Sequence, residues 1–130
     1  MVQKNKTILA IEDDGSLRNI LLDKIAGNGY EALGAEDGEE GLKLALEKAP
    51  DLILLDLMLP KMDGFQVLEH IRKNEDKDIA NVPVVVLSNL WSNKDILRIR
   101  ALKIEEYYVK ANTNLEEVFI KISEILNKDK

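Results

Sequence analysis

The sequence predicts an α/β protein, with a parallel sheet covered by helices on both faces. Short apolar runs alternate with amphipathic segments five times along 130 residues, without a linker or repeat. The runs are continuously apolar, which is typical of strands buried on both faces. A chain of this length suits one domain. We therefore expect a single domain over residues 1–130, with an ordered core at about 6–127 and no output domain in this chain.

The boundaries of the elements follow from apolar spacing and from residues that stop helices and strands. Helical spacing marks five helices, at residues 17–25, 42–49, 65–71, 95–102 and 115–126. Gly27-Asn28-Gly29 ends the first helix and Pro50 stops the second. Residues 74–81 form a charged segment that is predicted to be a loop. The predicted strands are Thr7–Ile11, Tyr30–Ala35, Asp51–Asp56, Val82–Leu87 and Tyr107–Val109.

Composition narrows the classes of function. The net charge is −6, which argues against direct binding to nucleic acid because such binding needs a basic face. The chain has no cysteine, so disulfides and thiolate metal sites are excluded. No apolar stretch approaches the ~20 residues of a membrane span, and the first six residues lack the apolar core of a signal peptide. We therefore expect a cytoplasmic protein that contacts neither membrane nor nucleic acid.

Four predicted strands end in chemically useful side chains. The first strand leads into Glu12-Asp13-Asp14, the third ends at Asp56, the fourth leads into Ser88, and the last leads into Lys110. In a parallel sheet these groups share one edge, where open α/β sheets bind their ligands. Carboxylates, a hydroxyl and an ammonium at one point suit a hard divalent cation and a phosphoryl group.

The acidic residues after the first and third predicted strands can have more than one role. Three acids after a strand can simply cap the next helix, and Asp14 is placed to do so. Glu12 and Asp13 would then face Asp56, where like charges repel and a cation relieves the repulsion. Hard oxygen ligands favour Mg²⁺ over Zn²⁺. Asp56 can serve as a metal ligand only, or as a nucleophile that forms an aspartyl-phosphate.

The segment Asp56-Leu57-Met58-Leu59-Pro60-Lys61-Met62-Asp63-Gly64 resembles the phosphoacceptor motif of response regulator receiver domains, the CheY-like superfamily of two-component signal transduction. The resemblance runs from about Lys6 to Leu126. It implies a flavodoxin-like, doubly wound (βα)5 fold with strand order 2-1-3-4-5. It also implies a phosphorylation-dependent switch, in which Asp56 accepts a phosphoryl group from a sensor histidine kinase or a phosphotransfer protein.

The same resemblance implies roles for individual residues. Mg²⁺, or Mn²⁺ as a substitute, would be bound by Asp13, by Asp56, by the backbone carbonyl of Met58 and by Glu12 through water. Ser88 would hydrogen-bond the phosphoryl oxygen and Lys110 would pair with the phosphoryl group. Tyr107 matches the aromatic residue that follows the switch.

Further expectations concern lifetime and output. Met58 and Leu90, both apolar, flank the approach of a hydrolytic water in the family's geometry and are expected to prolong the phosphorylated state. The surface of the fourth predicted helix, the last strand and the last helix would change shape and control an unknown downstream protein. The protein is expected to be a monomer or a phosphorylation-dependent dimer. The candidate residues of that output surface are Trp91, Ile99, Arg100 and Lys103.

Two residues depart from the family pattern. Ala111 stands where family members usually have proline after the lysine, and Asn89 stands where Ala or Gly usually follows the switch hydroxyl. Because a cis bond before a non-proline residue costs about 3 kcal/mol, we expect a trans peptide between Lys110 and Ala111. Asn89 could crowd the approach of the phosphodonor or add a hydrogen bond.

Two alternatives to the switch remain open. An Asp-nucleophile phosphatase of the haloacid dehalogenase type would carry an acid two residues after the nucleophile, where this chain has Met58. We therefore expect no enzyme activity beyond self-phosphorylation from small phosphodonors and slow autodephosphorylation. A degenerate receiver would be a protein-binding module that works without phosphorylation; Asn89 and Ala111 keep this reading open.

Overall fold

A computed structural model describes residues 5–90 and 92–128. Its centre is a five-stranded sheet of order β2-β1-β3-β4-β5, and every neighbouring pair is parallel. The predicted strand order is therefore confirmed. The observed strands are shorter than the apolar runs in several places. Asp51, Asp56 and Pro83 lie just outside them, although their backbone groups still form hydrogen bonds to neighbouring strands. The strands are β1 Thr7–Ile11, β2 Glu31–Ala35, β3 Leu52–Leu55, β4 Val84–Ser88 and β5 Glu106–Val109.

Six α-helices and one turn of 3-10 helix, Lys110–Asn112, connect or follow the strands in the described residues. Polar side chains begin most of them: Asp14 accepts hydrogen bonds from the backbone N–H groups of Ser16 and Leu17, and Asn114 accepts one from Glu116. The helices are α1 Gly15–Gly27, α2 Gly38–Lys48, α3 Gly64–Arg72, α4 Lys77–Ala80, α5 Asn93–Arg100 and α6 Leu115–Leu126.

The sheet separates two apolar cores. Successive strand residues point to opposite faces, so Leu9 and Ile11 enter one core while Ile8 and Ala10 enter the other. Helices α2, α3 and α5 cover the first core, and α1 and α6 cover the second. The prediction of helices on both faces is confirmed. No helix within the described residues is long and apolar enough to cross a membrane.

The charged segment 74–81 differs from its predicted loop. Asp76 accepts a hydrogen bond from the N–H of Asp78 and begins the single-turn helix α4. Arg72 stabilises the end of this turn, since its guanidinium donates at 2.8 Å to the carbonyl oxygens of Ala80 and Val82. One turn carries too few apolar positions to show helical periodicity, which explains why the sequence pattern does not reveal it.

Candidate functional site

The parallel register brings the four predicted strand ends to one edge. Ile11 is paired with Leu55, and Ser88 with Val109. The residues that follow these pairs, Glu12, Asp56 and Lys110, therefore lie side by side. The structure thus assembles the acidic residues, the hydroxyl and the ammonium that the sequence predicts there.

Asp56 and Glu12 are buried carboxylates that share one lysine. Their exposed fractions are 4% and 2%. The Lys110 ammonium lies 2.6 Å from Asp56 Oδ2 and 2.7 Å from Glu12 Oε1. The backbone N–H of Met58 donates to the second oxygen, Oδ1, of Asp56 at 3.0 Å. Two directed contacts thus fix the orientation of the Asp56 carboxylate.

Burial and neighbouring charges shift the pKa values of Glu12 and Lys110. Burial raises the pKa of the Glu12 carboxyl above its ordinary value, although Lys110 opposes the shift. Burial alone would lower the pKa of the Lys110 ammonium, but its contacts with Asp56 and Glu12 outweigh that effect and raise it. One ammonium cannot fully compensate two buried carboxylates, so the lysine holds its proton tightly while one acid resists ionisation.

Asp13 completes an acidic group that can hold a cation. One carboxylate oxygen from each of Glu12, Asp13 and Asp56 lies within 4.8 Å of the others. Asp13 is exposed, whereas the other two are buried. Three carboxylates thus face a single ammonium, and an all-oxygen donor set open to water on one side fits Mg²⁺. The donor set is therefore compatible with the metal that the resemblance implies.

Gly64 lets α3 begin directly against Asp56. A β-carbon at Gly64 would lie 2.5 Å from the backbone oxygen of Asp56. The Gly64 N–H also donates to the carbonyl of Leu57, and Asp63 begins the helix with a reciprocal pair of hydrogen bonds to Gln66. The Asp-Gly pair that closes the sequence motif therefore has a structural reason: it anchors the loop that follows Asp56.

Ser88 and Tyr107 lie on the other side of the site. Ser88 is completely buried, and its hydroxyl oxygen accepts a hydrogen bond from the N–H of Leu90 at 3.4 Å. The Tyr107 hydroxyl donates to the carbonyl of Leu90. Both side chains thus bind the same short segment after β4, which connects the two predicted switch residues.

The residues predicted to prolong the phosphorylated state or to form the output surface differ in their exposure to solvent. Met58 is 55% exposed, and Leu90 packs partly buried against the core; their effect on lifetime stays a prediction. Arg100 and Lys103 are exposed. The assignment of Ile99 to an exposed surface is wrong, because Ile99 is completely buried in the core beneath α5. Trp91 lies outside the described residues.

Sequence reasoning missed two contacts, and it left open whether Asn89 would form a hydrogen bond. Lys110 binds Glu12 as well as Asp56. Arg18 donates to the backbone carbonyl of Glu12 at 2.8 Å, which holds the acidic loop from α1. The N–H of Ala111 donates to Asn89, and the peptide before it is trans, as predicted. Helical spacing places Arg18 one turn after Asp14, but no pattern signals the other contacts because they depend on side-chain rotamers.

The fold and the site define a class of doubly wound α/β proteins whose acidic, lysine-bridged site lies at the carboxyl edge of the sheet. Within that class the chain belongs to the response regulator receiver domain family, whose sequence model matches residues 8–122. It is therefore a receiver domain of the kind found in two-component response regulators.

Individual relatives agree with this assignment. The chain is 38% identical over 109 residues to the "Probable transcriptional regulator ycf27" of Porphyridium aerugineum, covering 84% of this chain and 43% of the relative. It is 34% identical over 121 residues to the "DNA-binding dual master transcriptional regulator RpaA" of Synechocystis sp., covering 93% of this chain and 49% of the relative. The chain thus spans less than half the length of these curated relatives.

Solved structures show the same fold. The receiver domain of the Francisella response regulator 1452 superposes with a TM-score of 0.84 at 28% identity, covering 97% of this chain and 100% of that chain. The chemotaxis protein CheY4 of Vibrio cholerae superposes with a TM-score of 0.83 at 24% identity, covering 94% of this chain and 99% of that chain. At 24% identity, the second likeness concerns the fold alone.

Proposed function

We propose that the chain is a phosphorylation-dependent switch whose phosphoacceptor is Asp56. The donor is a histidine kinase or a phosphotransfer protein. An oxygen of the Asp56 carboxylate forms a bond to phosphorus while the bond from phosphorus to the donor's histidine nitrogen breaks, and the electron pair leaves with that nitrogen. The observation that carries the proposal is the orientation of Asp56 between the Met58 N–H and the Lys110 ammonium.

Lys110 has two roles in this proposal. Before transfer, its contact at 2.6 Å helps to hold the Asp56 carboxylate in one orientation for attack on phosphorus. After transfer, the ammonium is within reach of the new phosphoryl oxygens and stabilises their charge. Bound Mg²⁺ supplies further charge neutralisation for the phosphoryl group. Asp13, Asp56, the Met58 carbonyl and, through water, Glu12 would hold it.

The switch proceeds through Ser88 and Tyr107. The buried Ser88 hydroxyl exchanges its contact with the Leu90 N–H for one with a phosphoryl oxygen. Because Tyr107 binds the carbonyl of Leu90, this exchange alters the position of the aromatic ring. The surface of α5, β5 and α6 then changes and controls a downstream protein. We propose no direct contact between this chain and nucleic acid, although RpaA is described as DNA-binding.

The test is intact-mass spectrometry after incubation with acetyl phosphate and Mg²⁺. We expect the parent to gain one phosphoryl group and Asp56→Asn to gain none. Asp23→Asn is the matched control, since it makes the same change on the exposed face of α1 and leaves the site intact. Equal labelling of Asp56→Asn would refute the role of Asp56. Failure of the parent to label would favour a binding module that works without phosphorylation.

The metal has its own test. Asp13→Asn removes an exposed carboxylate, so we expect the folded state to persist. Binding of Mg²⁺, followed by titration calorimetry, should weaken by more than about tenfold because the cation loses a charged oxygen ligand. An unchanged affinity would place the metal elsewhere. Release of product from a generic phosphate ester would instead support the phosphatase alternative.

A further inference from the structure

Asn89 joins two loops that carry functional side chains. The backbone N–H of Ala111 donates to Asn89 Oδ1 at 3.1 Å. Asn89 directly follows the buried hydroxyl residue Ser88, and Ala111 directly follows Lys110. A proline at position 111 would have no N–H to donate. The bond therefore depends on the particular residues at both positions.

The position of this bond shows what it can control. The β4–β5 pairing ends with Ser88 and Val109, so the bond lies immediately beyond the sheet. Asn89 and Ala111 are both exposed and, with Val109 and Asn112, line an open cavity of about 530 Å³. Water could satisfy either group there, so the bond is not needed to compensate a buried polar atom. What it adds is a constraint on the relative position of the two loops.

We propose that Asn89 is a positioning residue for the phosphotransfer described above. It holds the backbone at Lys110 so that the ammonium reaches Asp56 and Glu12 together. Because Asn89 moves with Ser88, closure of Ser88 on the phosphoryl group also shifts the anchor of Lys110. The inference rests on the proposed function, but it assigns to Asn89 a role that phosphorylation of Asp56 does not by itself require.

A double-mutant cycle tests this role. Asn89→Ala removes the acceptor and Ala111→Pro removes the donor, while Ala111→Gly is the control that keeps the N–H. The measured quantities are the maximal rate of labelling by acetyl phosphate and the half-saturating concentration. We expect Asn89→Ala to lower the maximal rate by about threefold to tenfold, the effect of one lost hydrogen bond. In the Ala111→Pro background the same change should have no further effect.

The outcomes separate this inference from the proposed function. Equal effects of Asn89→Ala in both backgrounds, or an effect on half-saturation alone, would overturn the positioning role and indicate that Asn89 only shields the phosphodonor's path. If the parent is not labelled, the proposed function fails and the inference fails with it. If Ala111→Pro does not fold, the ¹⁵N resonance of the Lys110 ammonium decides. We expect Asn89→Ala to shift it, and an unchanged resonance would overturn the inference.

Discussion

Lys110 controls the electrostatic balance of the site because two buried carboxylates depend on it. We expect Lys110→Met to lower the free energy of unfolding in chelator by about 3 kcal/mol, since Asp56 and Glu12 would lose their shared cation. Mg²⁺ should restore more stability to this variant than it adds to the parent, because it replaces the missing positive charge. Urea unfolding with and without Mg²⁺ measures both effects.

The control for this variant is Lys43→Met, the same substitution at an exposed position on α2. It should change the free energy of unfolding by less than about 0.5 kcal/mol, as is usual for surface substitutions. Equal destabilisation by the two variants would mean that the contacts of Lys110 contribute nothing specific.

Single residues also show how far sequence reasoning extends. The sequence predicts that three residues lie close together, namely Asp56, Glu12 and Lys110. This prediction needs only the backbone topology, because the ends of parallel strands share an edge of the sheet. The sharing of one ammonium by two acids could not be predicted, since it depends on rotamers. Ile99 was misplaced for a related reason: in the run Ile96-Leu97-Arg98-Ile99 the apolar residues are nearly contiguous, so spacing does not decide which of them faces the core.

At the scale of elements, the close approach of α3 to β3 fixes the Asp56 loop. We expect Gly64→Ala to destabilise the fold by about 2 kcal/mol, because its methyl group would collide with the backbone at Asp56 and Leu57. Gly27→Ala is the matched control: it lies at the end of α1 with open space around it and should stabilise by up to about 1 kcal/mol. Thermal melts that ranked the two variants in the opposite order would contradict this packing.

The start of α2 supplies a pH-dependent contribution to stability. The Glu40 N–H donates to Asp37 at 2.8 Å, and this bond, with help from Lys61, lowers the pKa of the Asp37 carboxyl below 3.8. A lowered folded-state pKa means that the carboxylate stabilises the fold above pH 3.8 and that the gain disappears as pH falls through the folded value. Asp37→Asn keeps a capping oxygen but cannot titrate.

We therefore expect the parent to be more stable than Asp37→Asn at neutral pH, with the difference closing below pH 3.8. Urea unfolding between neutral and acidic pH measures this difference directly. A difference that stays constant, or that widens as the pH falls, would show that the charge of Asp37 does not stabilise α2.

The helices and strands differ in how well they can be predicted from the sequence. The five strands and the five longer helices follow from apolar runs and from stop signals such as Pro50, and their ends differ from prediction by a few residues. Helix α4 cannot be predicted in this way. Its single turn is stabilised by Asp76 and by Arg72 from a neighbouring helix, and neither contact produces a periodic pattern of apolar residues in the sequence.

At the scale of the whole molecule, the doubly wound topology is what gives the site its composition. Four of the five strands deliver a functional residue to one edge, and the two apolar cores keep those strand ends in fixed register. This arrangement can be predicted from sequence because alternation and burial of the strands determine a parallel sheet. The chain spans less than half the length of these curated relatives. The fold therefore does not identify the proteins on which the chain acts.

The central claim is that Asp56 forms an acyl phosphate. Borohydride reduces such a bond to an alcohol, which converts the labelled aspartate to homoserine. We would label the parent with acetyl phosphate and Mg²⁺, reduce it with borodeuteride, and locate the deuterium by tandem mass spectrometry of the peptides. We expect homoserine at position 56 and at no other acidic residue. Deuterium at Glu12 or Asp13, or a phosphate on Ser88 that borohydride leaves in place, would contradict the claim.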